Sequence, residues 1–170
     1  MFRIEAEKLL VGFVLAFIVA VDMLSTTMLG GLVPTIPSSI SVLVSLCLLI
    51  RLIDIKKFSI NYLIFAPLLL IVGFLVALET KNYRFLAYMI LLVSLYDMDM
   101  DFILKVYSTV GIPFILGTVL LSLVHVIPNL QFIQIRNRGV VTRNSFGFIY
   151  PTDFASHCFY LYVALSYLNR

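Results

Sequence analysis

The chain has 170 residues, of which 62% are hydrophobic and only 12% charged, with a formal net charge of +3. A soluble domain of this length sits nearer half apolar and a quarter charged, so this sequence lacks the polar surface to cover a water-soluble core. With a mean hydropathy of +1.08 it reads as an all-α, polytopic membrane protein. It has no basic helix or polybasic run of the kind that binds nucleic acid.

A spanning helix needs about 20 mostly apolar residues. Leu9 to Leu29 supplies the first, too long for a cleaved signal peptide and therefore expected to be an uncleaved anchor. Gly30 to Pro37 is a tight turn, since Gly and Pro punctuate. The second span runs from about Ser38 to Ile53 and ends in Arg51, Lys56 and Lys57. The third is Ile60 to Leu78, followed by the polar turn Glu79 to Arg84. The fourth, Phe85 to Tyr96, is short for a span, either little tilted or extended by flanking residues that snorkel. The fifth is about Phe102 to Ile127, with a kink expected at Pro113 and an end at Pro128. The sixth starts near Pro151 and ends at Leu168. The expected fold is thus one transmembrane helical domain of about six spans, with a polar loop between spans five and six. No internal repeat and no soluble domain is visible.

The first hairpin fixes the expected direction. Arg3, Lys8, Arg51, Lys56 and Lys57 flank its inner ends, while the Gly30–Pro37 loop has no charge. Both termini are then cytosolic in a multi-pass protein of the plasma membrane. Seven basic residues fall inside (Arg3, Lys8, Arg51, Lys56, Lys57, Lys105, Arg170) and five outside (Lys81, Arg84, Arg136, Arg138, Arg143). The external group is concentrated in the loop Gln131 to Tyr150, where the positive-inside bias disfavours arginine. Clustered arginines beside a bilayer suit an anionic head group, above all a phosphate or pyrophosphate.

Several polar residues fall inside the spans. Asp22 is either a cavity-facing carboxylate or a group bonded locally to Ser25 and Thr26. His125, at the outer end of span five, reads as a hydrogen-bonded interfacial residue in preference to a catalyst. Asp153, His157 and Tyr160 fall at i, i+4 and i+7 and share one helical face, one turn after Tyr150. That face can hold a general base, Asp153, with His157 as its orienter or as an alternate base. The competing reading is a helix cap by Thr152 or Asp153 after Pro151, which leaves His157 unexplained. Asp97, Asp99 and Asp101 lack the Gly and distal Glu of a calcium loop and read as a solvated turn, so no metal site is expected. Cys47 and Cys158 read as small apolar fillers. No Gly-rich phosphate loop is present, and no cofactor is expected.

The stretch Arg136 to Tyr162, RNRGVVTRNSFGFIYPTDFASHCFYLY, resembles the bacterial exopolysaccharide and capsule repeat-unit polymerases of the Wzy type. Relatives from Gram-positive bacteria carry an external loop reading roughly R-x-S-x-G-F-x-H-P-N before a small-residue helix start. Here the loop reads Arg143, Asn144, Ser145, Phe146, Gly147, Phe148, Ile149, Tyr150, Pro151, Thr152, departing at Tyr150 and Thr152. The stretch Asp101 to Lys105 after the short fourth span also looks like this family. The resemblance implies a protein with about twice as many spans, so the chain is expected to be the N-terminal part of a longer polymerase. It implies glycosyl transfer between undecaprenyl-pyrophosphate-linked oligosaccharides at the outer membrane face. Arg136, Arg138, Arg143 and Tyr150 would then bind substrate, and Asp153 and His157 would be catalytic. The implied partners are the lipid-linked oligosaccharide, membrane lipid and other polysaccharide assembly proteins. Two other classes fit the composition. One is a small transporter or flippase component, using Asp22, His125 and His157 as a path, though no inverted repeat is evident. The other is a non-catalytic membrane subunit.

Overall fold

A computed structural model describes residues 2–31, 38–48, 59–136 and 139–170. Among the described residues six α-helices are formed: α1 (Phe2–Ser25), α2 (Ser38–Leu46), α3 (Ile60–Thr80), α4 (Arg84–Ser94), α5 (Met100–Leu123) and α6 (Pro151–Leu168). Two strands, β1 (Gln131–Arg136) and β2 (Gly139–Asn144), lie between α5 and α6. Residues 32–37 of the expected first turn, the end of span two with Arg51, Lys56 and Lys57, and Arg138 lie outside the described residues. Three of the helical segments, Glu7–Ser25, Ile60–Thr80 and Met100–Leu123, are long and apolar enough to cross a membrane. The chain is therefore a helical membrane protein with several spans. Helix α4 has 11 residues, about 16 Å at 1.5 Å per residue, against a hydrocarbon core of about 30 Å.

The fold divides into two units, Met1–Ile18 with Ile36–Asp99, and Val19–Thr35 with Met100–Arg170. In the first, α3 and α4 pack as a helical hairpin. The buried residues of α3 are Tyr62, Ala66, Gly73 and Ala77, a stripe of mostly small side chains spaced for a helix–helix seam. Gly73 is required by close approach: a Cβ there would meet Met89 Cγ at 2.9 Å. The rest of α3, including Ile64, Phe65, Leu68, Ile71 and Leu75, is exposed, which is the expected surface where lipid is the solvent. Ser59 caps α3 by accepting from the Tyr62 amide at 3.3 Å. Lys81, with φ 54, ends the helix in a left-handed conformation. At the other end of the seam the Tyr62 hydroxyl donates to the Val93 carbonyl at 2.6 Å, fully inside the unit. The Tyr96 ring stacks on Tyr62 at 4.1 Å, and the Tyr96 and Ser59 hydroxyls are hydrogen-bonded at 3.2 Å. The start of α2 joins the same unit, where Ser38 Oγ accepts from the Tyr83 amide at 3.4 Å.

In the second unit α5 packs along α6. Its buried residues are Ser108, Gly111, Ile115, Thr118 and Ser122, again a seam of small side chains. Gly111 admits Met23, whose Cε would lie 3.2 Å from an added Cβ. The helix continues through Pro113 and ends at Leu123, earlier than Pro128. The stop is a left-handed cap. His125 has φ 60, its amide donates to Ser122 O at 3.2 Å and the Val126 amide to Leu121 O at 2.9 Å. This is the double hydrogen bond of a Schellman motif, with histidine where glycine is usual. The expected polar loop contains an antiparallel hairpin, with β1 and β2 in register from Gln131↔Asn144 to Arg136↔Gly139.

The Tyr62–Val93 bond yields a stability prediction. Tyr62→Phe keeps the ring and leaves a buried carbonyl short of a donor. It should destabilise the protein by about 1–2 kcal/mol, read as a lowered melting temperature in detergent or nanodiscs. An unchanged melting temperature would mean that the hydroxyl contributes nothing to the α3–α4 seam.

Candidate functional site

The site is built around the connection from β2 to α6, residues 145–150. Chain reversal begins at Ser145, whose carbonyl accepts from the Phe148 amide at 3.0 Å. Phe146 and Gly147 between them have φ of 51 and 84, the two positive values of a type I′ turn. Gly147 meets two constraints at once. Its φ suits glycine, and an added Cβ would lie 2.7 Å from Ile127 Cδ1 and 3.0 Å from the Thr118 carbonyl oxygen of α5. Ser145, with 0% of its surface exposed, and Phe148, with 1%, are buried on either side.

This turn is tied to the strand before it and to the end of α1. The Ser145 amide donates to Leu130 O at 2.9 Å, and Ser145 Oγ accepts from the Leu130 amide at 3.1 Å. Asn129 Oδ1 accepts from the Phe146 amide at 2.9 Å. On the other side, the Met28 amide donates to Gly147 O at 2.8 Å and the Ile149 amide to Thr26 O at 2.9 Å, with Thr27 and Phe148 forming an antiparallel bridge. A non-helical backbone at this place is thereby supplied with partners from within the protein.

The expected catalytic helix face follows directly. Tyr150 is the N-cap residue of α6, with an extended backbone and no side-chain cap bond, and Pro151 opens the helix. The competing reading places the cap at Thr152 or Asp153, whereas the N-cap position falls on Tyr150. Asp153 lies in the first turn of α6, partly buried, where a carboxylate is favoured by the helix dipole. His157, one turn on, reaches across to α1: its Nε2 is 2.9 Å from Thr26 Oγ1. The Thr26 hydroxyl also donates to Met23 O at 3.0 Å. Thr26 has one proton, so with that proton on the carbonyl the contact to His157 runs the other way, from Nε2–H to Oγ1. The imidazole is also packed against Phe148, at 5.6 Å between ring centroids, and Phe154 closes on Phe148 at 5.4 Å and on Phe146 at 5.2 Å. Tyr160, further down the helix, is exposed and stacks edge-on with Phe159.

Arg143 sits in β2 opposite Phe132, partly exposed. Cross-strand partners share a face, and Phe132 packs on the exposed Tyr150 at 5.8 Å. Arg143 and Tyr150 thus flank Phe132. Arg136 ends β1 opposite Gly139. Tyr150, Asp153 and His157 thus follow one another along the start of α6, with Tyr150 linked through Phe132 to the strand that carries Arg143, and His125 stands apart, exposed in the helix-stopping turn. Asp22 lies one turn before Thr26, and its main-chain carbonyl accepts from Ser25 Oγ at 2.7 Å. Asp97, Asp99 and Asp101 are exposed around the start of α5. Among the described residues no group of three His, Cys, Asp or Glu is placed to hold a metal ion. Cys47 and Cys158 are free thiols. Comparison with protein-family models, with curated proteins and with solved structures finds no match to this chain.

Thr26 and Ser145 are the residues that sequence reasoning missed as parts of the site. Thr26 was read only as a partner of Asp22, and its contact with a residue 131 positions away leaves no local trace. Ser145 and Gly147 did have a signal, because a serine and a glycine two apart just before a proline mark a turn.

Two substitutions should have opposite signs. His125→Gly relieves a left-handed residue that carries a Cβ and should stabilise the protein by about 1 kcal/mol. Gly147→Ala adds strain at positive φ and a clash with the α5 backbone, and should cost on the order of 2–4 kcal/mol. Thermal unfolding of the two variants in the same detergent checks both. A destabilising His125→Gly would show that the imidazole makes a contact stronger than the strain it imposes.

Proposed function

We propose that this chain acts in exopolysaccharide or capsule assembly as part of a repeat-unit polymerase, transferring glycosyl chains between undecaprenyl-pyrophosphate-linked oligosaccharides at the outer face of the plasma membrane. The observation that carries the reading is the fixed turn Ser145–Tyr150. It joins the arginine-bearing strand directly to the helix face of Asp153 and His157, in the segment that resembles this family. Cationic groups and a candidate base belong side by side in such a reaction. The acceptor hydroxyl attacks the anomeric carbon of the lipid-linked chain and a new C–O bond forms. The bond from that carbon to the pyrophosphate oxygen breaks, and the lipid pyrophosphate leaves with the electron pair. Asp153 takes the hydroxyl proton, with His157, anchored on Thr26, as its orienter or as an alternate base. Arg143, with Arg136 and Arg138, offsets the charge on the leaving pyrophosphate, and Tyr150 borders the sugar. The positive end of the α6 dipole adds to this field.

In this reading the chain crosses the membrane six times with both termini in the cytosol. The placement of the hairpin turns on α4. If its 11 residues cross together with the turns that flank them, residues 131–150 are outside; if α4 stays on one side, they face the cytosol. A single cysteine at Gln134, with Cys47 and Cys158 replaced by serine, should react with an impermeant maleimide on intact cells. Reaction only after permeabilisation would place the hairpin inside and remove the polymerase reading.

The chemistry has its own test. Arg143 grips two phosphate oxygens at once, which lysine cannot do. A charge-assisted hydrogen bond contributes about 1.5–3 kcal/mol, so Arg143→Ala should slow polymer formation about tenfold or more, and Arg143→Lys less. Asp153→Asn should lower the maximal rate with lipid-pyrophosphate binding retained. The measurement is the ratio of polymer to single lipid-linked units in membranes of cells carrying each variant. Wild-type ratios in both Arg143→Ala and Asp153→Asn would refute the proposed roles.

A further inference from the structure

The β1–β2 hairpin has two faces of different fate. Residues opposite one another share a face, so the register puts Phe132, Gln134, Val141 and Arg143 on one side and Ile133, Ile135, Val140 and Thr142 on the other. The first side is joined to the protein through Phe132, which packs on Tyr150. On the second side Ile133 is 70% exposed, Ile135 86% and Val140 66%. A two-stranded hairpin in water is marginal, and β-branched side chains on its open face are an association hazard. Uncovered apolar surface of this kind, edged by charge, marks an interaction site.

We infer that this face is covered by lipid: the hairpin lies in the interfacial plane of the bilayer the chain spans, with Ile133, Ile135 and Val140 at the acyl boundary and its arginines among anionic phosphates. Three observations select this occupant over a protein. The segment Gln131 to Tyr150 carries Arg136, Arg138 and Arg143 and no acidic residue, so its charge matches an anionic lipid surface. The hairpin follows α5, which is long and apolar enough to cross a membrane and ends at Leu123, so it cannot leave the bilayer surface by more than that short connection and its own length. That length is about 20 Å for six-residue strands. Finally, Leu123, Val124 and Val126 at the end of α5 are exposed apolar residues as well. The inference concerns where the hairpin rests and does not depend on the polymerase reading. A hairpin so placed would, in addition, meet any lipid-linked phosphate in the plane where such head groups lie.

The test measures depth. In a background with Cys47 and Cys158 replaced by serine, Ile135→Cys, Val140→Cys and Gln134→Cys are each labelled with an environment-sensitive fluorophore. All three positions are exposed; Ile135 and Val140 lie on the open face, and Gln134, on the face that carries Phe132, is the comparison. The full chain is reconstituted into phosphatidylethanolamine–phosphatidylglycerol vesicles with and without brominated acyl chains. Labels at 135 and 140 should be quenched by bromine several-fold more than the label at 134, and should resist aqueous iodide. Equal iodide access at 134 and 135, with no bromine quenching, would overturn the inference. So would efficient cross-linking of 135 to 135 between two copies in the absence of bromine quenching, which would assign the face to self-association. The measurement needs no sugar substrate, so loss of membrane contact and loss of polymer formation are read separately.

Discussion

The structure of the second unit depends on a short set of backbone hydrogen bonds between residues 26–28 and 147–149. Helix α1 ends at Ser25; its last carbonyls accept locally from Ser25, Thr26 and Thr27, but the Thr26 carbonyl and the Met28 amide beyond it need partners in an apolar medium. The turn Ser145–Tyr150 has the same need. Each supplies the other: Gly147 O takes the Met28 amide, and Thr26 O takes the Ile149 amide. Once this pairing is made, Phe148 is buried against His157 and Phe154, Thr26 is within reach of His157, and the direction of β2 is fixed relative to α6. The positive φ of Phe146 and Gly147 follows from the same requirement, since the chain must reverse while presenting its carbonyl to α1.

The residues of the candidate site differ in how they are held. His157 is fixed by a hydrogen bond and by aromatic packing, Tyr150 by its place as the helix N-cap and by Phe132. Arg143 has a long side chain at the edge of the hairpin, suited to following a mobile anionic group. Asp153 sits between them in the first helical turn. Rigid groups on the helix and an adaptable cation on the strand are a reasonable division for binding a substrate whose charged part is flexible.

Much of the fold was legible in the sequence, and the rest was hidden for identifiable reasons. The apolar runs Ile60 to Leu78 and Pro151 to Leu168 matched helices closely because each is bounded by a turn signal. The end of α5 was misplaced by several residues because proline was the only stop considered, whereas His125 stops the helix with a left-handed backbone that no propensity rule assigns to histidine. The hairpin was readable in part: Phe132, Ile133, Ile135, Val140, Val141 and Thr142 are strand-forming residues, and Gly139 marks a reversal. Three arginines in the same stretch made it read as a polar loop. The tie between Thr26 and His157 could not be read, because it joins two ends of the chain and obeys no period.

That same tie governs how the protein is made. Residue 27 pairs with residue 148, so the end of the first helix waits, through the synthesis and insertion of every intervening segment, for a partner the ribosome has not yet delivered. Chains emerge at about 5–20 residues per second, which leaves this end unpaired for on the order of ten seconds. During that interval the Thr26 carbonyl and the Met28 amide lack the partners that Ile149 and Gly147 later supply. The contact that completes the second unit is thus one of its last to form.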